Sequence, residues 1–138
     1  MKYSLDEEYD FDFYLLGISC HEKDYRTCWA INQALGINLS KEENDIEVII
    51  KKTNRCSLHS MFTYYNEETE TEFRLIANRS TLGVLIPEKA QADYLLMVTD
   101  NSEKSIDDIR RQINEIPFVL TSFVVDVEDL KSKENLIF

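Results

Sequence analysis

Apolar and polar residues change their spacing several times along the chain, and each change marks an element. Phe11, Phe13, Leu15 and Gly17 alternate with Asp12, Tyr14, Leu16 and Ile18. A period of two predicts a strand, here apolar on one side throughout and on both sides as it runs inward. From Asp24 to Leu35 the period becomes helical, with Cys28, Ile31 and Leu35 on one stripe flanked by Tyr25 and Trp29. Gly36 ends this helix, because a glycine past the last periodic residue adopts the left-handed conformation that satisfies orphan carbonyls. Residues 40–45 are polar and lead into Ile46–Ile50, whose β-branched content predicts a second strand.

A basic polar loop over 51–55 precedes two alternating aromatic runs, 58–65 and 72–78, joined by an acidic link at 66–70. These predict a hairpin carrying Phe62, Tyr64, Tyr65 and Phe73, aromatics expected to serve as core and cross-strand pairs. Ile86-Pro87-Glu88 and Asp93-Tyr94 then divide the chain, with Pro87 starting a turn or short helix that delivers Tyr94 into the next strand. Tyr94–Thr99 lacks alternation, as a strand covered on both faces does. Ile106, Ile109, Ile113 and Ile116 recur at helical spacing with charges opposite. Ser105 is placed to cap this helix, Asp107 and Asp108 favour its positive end, and Pro117 stops it. Residues 118–127 predict a last strand with Val119, Thr121, Phe123, Val125 and Val127 on one face. The expected fold class is α+β, a two-layer domain with about six strands and two helices in the order β-α-β-β-β-(short turn)-β-α-β. It spans residues 1–138, with 1–10 and 128–138 as loosely packed arms and Leu136-Ile137-Phe138 able to dock on the domain or on a second copy.

Composition narrows the function. The 138 residues carry a formal net charge of -11, which opposes phosphate binding and so excludes nucleic acid and anionic membrane surfaces as partners. No run approaches the roughly 20 apolar residues of a membrane span, and the acidic start is unlike a signal or transit peptide, so a cytoplasmic protein is expected. Cys20, Cys28 and Cys56 are odd in number and lack C-x-x-C spacing, which predicts reduced thiols rather than a disulfide framework.

Several residue groups have the chemistry of a site. Glu88 and Asp93 are a carboxylate pair suited to acid-base work or a divalent cation, yet five residues apart on a helix lie about 140° apart and do not share a face. The preferred reading is structural: Glu88 complements the start of the turn, and Asp93 caps or pairs. Cys20-His21 and Cys56-Ser57-Leu58-His59 have spacings that zinc or a Cys-His nucleophile pair can use, but the preferred reading is buried thiols and solvated or hydrogen-bonded imidazoles. Asp24 is expected as a helix cap, Arg26 in a salt bridge and Asn32 as a hydrogen-bonded residue near the core. No phosphate loop, dinucleotide fingerprint, nucleophile elbow or zinc-protease motif occurs, and no cofactor is implied.

With Ile86-Pro87-Glu88 and Asp93-Tyr94 in place, the chain resembles the bacterial IPExxxDY family. Gly17-Ile18, Asp24-Tyr25-Arg26 with Trp29 and Asn32, and the closing Leu130-Lys131-Ser132-Lys133-Glu134-Asn135-Leu136 belong to the same resemblance. The resemblance implies a small cytoplasmic protein of the Bacteroidetes lineage and assigns no catalytic or binding residue. Two functions follow as expectations: a non-catalytic protein-interaction module binding an unknown partner or itself, or a small-molecule or metal-dependent enzyme using Glu88, Asp93, Tyr94, Arg26 and His21 or His59.

Overall fold

The computed structural model describes residues 12–50 and 52–136. Six antiparallel strands form the main sheet, and β1 (Phe13–Cys20), β2 (Ser40–Lys41), β3 (Ile46–Ile50), β4 (Arg55–His59), β5 (Met61–Asn66), β6 (Thr71–Ala77), β7 (Tyr94–Thr99) and β8 (Val119–Val125) follow in chain order. The sheet order is β2-β5-β6-β7-β1-β8, while β3 and β4 pair separately. Helices α1 (Asp24–Leu35) and α2 (Ile106–Asn114) pack on one face, giving the expected α+β arrangement.

Strand β7 lies between β6 and β1, which accounts for its unbroken apolar run. Tyr94, Leu96 and Val98 face the helices, and Leu95 and Met97 face the other side. Between sheet and helices, Ile31 from α1 and Ile109 and Ile113 from α2 are almost completely buried. The Ser105 side chain accepts from Asp108 N at 3.1 Å, so the expected cap is present. Gly36 has φ 67° and its N–H donates to Asn32 O, closing α1. Asp24, expected as the cap of α1, lies one residue inside the helix; Lys23 holds the cap position without a side-chain bond, and the Asp24 carboxylate accepts from Tyr25 N instead.

The second face is covered without helices. The β3-β4 ribbon, residues 79–92 and the C-terminal segment bring Ile46, Val48, Leu85, Ile86, Val127, Leu130 and Leu136 onto Leu15, Ile76 and Leu95. The tail expected as a loose arm is therefore packed over 127–136, with 3-10 turns at Val127–Asp129 and Lys133–Leu136. Residues 1–11 and the pair Ile137 and Phe138 lie outside the described residues.

Two strands depart from the periodic reading. The run 58–65 is broken at Ser60, whose carbonyl accepts from Ala77 N at 3.0 Å. Up to His59 the chain pairs with β3, and from Met61 it pairs with β6. Strand β3 therefore leaves the main sheet, joined to β4 by a turn in which Asn54 has φ 55°. In β8 the register shifts between Ser19 and Cys20 of β1, so Val119 packs toward the helices while Phe123 and Val125 face the opposite cluster. A bulge of this kind turns alternate side chains to the other face. Phe123 lies so close over Gly17 that a Cβ there would meet its ring at 2.6 Å.

Candidate functional site

The segment from Leu85 to Asp93 follows a fully buried asparagine. Asn78, just beyond β6, accepts from Ile86 N at 2.8 Å and donates to Lys89 O at 3.0 Å and Ala92 O at 2.9 Å. Its backbone N–H donates to Asp93 O and its carbonyl accepts from Leu85 N. The segment 85–93 thus wraps around one side chain whose amide oxygen and two N–H donors are all engaged. Pro87 opens a 3-10 turn at Pro87–Lys89, and Ile86 before it takes φ -118° and ψ 88°, outside the helical region as a residue preceding proline must be.

Glu88 stands in the first turn, as expected, and reaches beyond it. Its carboxylate accepts from the Ser132 hydroxyl at 2.6 Å and from Ser132 N at 2.8 Å, fastening the C-terminal segment. Partial burial works to raise its pKa, but the Ser132 hydrogen bonds outweigh this and hold it below the ordinary glutamate range. Asn135 donates to Leu85 O at 2.9 Å, so the tail grips the segment at two points. Asp93 pairs, as expected: it accepts from Cys20 N at 3.0 Å and lies 3.9 Å from Arg79 Nε.

Tyr94 enters the core on the helix side, and its hydroxyl donates to Glu22 O. Burial, only partly offset by a hydrogen bond with Thr27, pushes that hydroxyl up to about 12, so it stays protonated at neutral pH. Arg26 pairs with the Glu22 carboxylate at 3.2 Å, with its guanidinium 5.5 Å from the Phe118 ring centroid. Asn32 donates to and accepts from the Leu39 backbone at 3.1 and 2.7 Å, pinning the chain after α1.

The cysteines and histidines do not converge. Among the described residues no group of three His, Cys, Asp or Glu is placed to hold a metal ion. His21 is exposed. Cys56 and His59, three apart on β4, face opposite sides; Cys56 donates to Glu47 Oε1 at 3.3 Å, while His59 is completely buried. The pair that does meet is Ser57 and His59, with Ser57 Oγ 2.8 Å from Nε2 and Nδ1 2.8 Å from Ala77 O. The carbonyl only accepts, so Nδ1 carries the proton and Nε2 accepts from the serine. This is the bond of a serine-base pair, but both residues have no accessible surface and no substrate can reach them. Burial lowers the His59 pKa and keeps it neutral. The Cys28 thiol is likewise pushed up by burial, to about 11, and is unreactive.

The enzyme candidates therefore occupy separate bonds: Glu88 with the tail, Asp93 with Cys20 and Arg79, His59 with Ser57. Tyr94 and Arg26 share a neighbour, Glu22, and the charge of Asp93 is felt at the Tyr94 hydroxyl. Sequence reasoning missed Asn78 and Ser57, because neither position stands out in the local spacing of apolar residues.

A groove beside an exposed tryptophan lies elsewhere. An open groove of about 490 Å³ lies between α1 and the end of α2, lined by Arg26, Trp29, Ala34, Ile116, Pro117 and Phe118. Of these, Trp29 is 64% exposed. Among the described residues no helix is long and apolar enough to cross a membrane. Compared with protein-family models, curated proteins and solved structures, the chain matches none.

Proposed function

We propose that this protein is a non-catalytic protein-interaction module of the cytoplasm and a member of the IPExxxDY family. The observation that carries this reading is the groove around Trp29. Tryptophan and arginine dominate interface energetics, and a tryptophan left in water beside Phe118 and Ile116 is costly unless a partner covers it. Engagement of the polar candidates in local bonds supports the same reading, because those groups hold segments together rather than line a common pocket. Affinity purification of the tagged chain from its native cells is expected to recover one stoichiometric partner, or a second copy, with weaker recovery for Trp29→Ala. A monomer that recovers no partner refutes the proposal.

A further inference from the structure

The two edges of the main sheet differ. At one, β2 is two residues long, and Lys41 pairs with Asp45 beside it. Short and charged edges of this kind discourage pairing with another chain. At the other, β8 runs for seven residues, Val-Leu-Thr-Ser-Phe-Val-Val, with neither charge nor proline. Its only strand neighbour among the described residues is β1, so one row of backbone N–H and C=O groups is open. Leu120 is 65% and Val124 46% exposed, and the bulge near the start of β8 leaves Leu120 without a partner on β1.

We propose that this edge pairs antiparallel with β8 of a second copy, with the two-fold axis near Ser122. The proposal rests on the interaction-module reading and names its partner. Pairing about Ser122 places Leu120 opposite Val124 of the second copy, and Val124 opposite Leu120, so each exposed apolar residue meets the other. It also places Phe118 opposite Asp126 of the second copy. Arg26 lies over Phe118 and Asp126 is exposed, so opposite charges meet at both ends of the interface. A two-fold interface must be self-complementary, and this edge is so in backbone pairing, apolar contact and charge. The helices lie on the same face of both copies, and the six-stranded sheets join into one.

The test is the mass of the purified full chain across a dilution series, by sedimentation and light scattering. A dimer is expected. Leu120→Lys and Val124→Lys should each raise its dissociation constant about tenfold or more, since each substitution occurs twice in the interface and places a charge on a pairing edge. Leu120→Lys combined with Val124→Glu should recover affinity relative to Leu120→Lys alone, because the new charges then face each other. Both positions are exposed, and an unchanged circular dichroism spectrum checks the fold. A monomer at every concentration overturns the proposal, as does a dimer insensitive to both lysines or a charge pair that gives no recovery. If the chain is monomeric but captures another protein that Leu120→Lys releases, self-pairing fails while the interaction module stands.

Discussion

Replacing Asn78 with alanine removes the side chain around which residues 85–93 are folded. Three hydrogen bonds disappear at a position with 0% exposure; Ile86 N–H and Ala92 O lose their partner, while Lys89 O keeps the bond it accepts from Ala92 N. A hydrogen bond contributes about 1 kcal/mol net, and a buried group left unpaired costs about 1–3 kcal/mol. The Lys89 carbonyl stays bonded to Ala92 N, so only two buried groups are left unpaired and the loss is about 3 kcal/mol, with about 5 kcal/mol as an upper value. That is a large share of the roughly 5–15 kcal/mol typical of a domain, and it corresponds to a fall of about 10 °C in Tm. Asn78→Asp separates the donor from the acceptor role. An aspartate still accepts from Ile86 N–H, but its other oxygen faces two carbonyls and its charge is buried, so it should be at least as damaging at neutral pH. It should regain stability on acidification as the carboxyl protonates and donates again. Urea and thermal unfolding of both variants at two pH values measure this. A loss under about 1 kcal/mol for Asn78→Ala, or wild-type stability for Asn78→Asp at neutral pH, would refute the clamp.

Two further perturbations address the same packing. Burial holds the His59 pKa below its ordinary 6.5 against the opposing influence of the Ala77 carbonyl and Asp45. The unfolded chain therefore binds the proton first, so this stability is complete above about pH 6.5 and is lost as pH falls below it. The pH dependence of the urea midpoint, less that of His59→Gln, should show this loss; equal slopes would exclude it. Glu88→Ala releases Ser132 from a mostly exposed carboxylate, so the expected cost is under about 1 kcal/mol. Hydrogen exchange should nevertheless rise selectively across 127–136, and unchanged protection there would show that Leu130 and Leu136 hold the tail without it.

The sequence by itself determined the parts of the fold in which burial repeats locally. Ile106, Ile109 and Ile113 mark one face of α2, Ser105 caps it, Gly36 closes α1, and the unbroken run of β7 follows from its central place in the sheet. In each case a side chain's neighbours lie within one or two turns or follow the alternation of a strand, so periodicity records them. Tertiary structure decided what depends on distant partners. The break at Ser60 follows from Ala77, the bulge of β8 from its pairing with Cys20, and the Glu88 bonds from Ser132, 44 residues away. Asn78, Ser57 and His59 carry no local signature, because what makes them structural is the backbone that folds back over them. The groove at Trp29 and the open edge of β8 are tertiary outcomes as well. Alternation shows which residues are apolar, whereas only the placement of helices, ribbon and tail decides which of them remain uncovered.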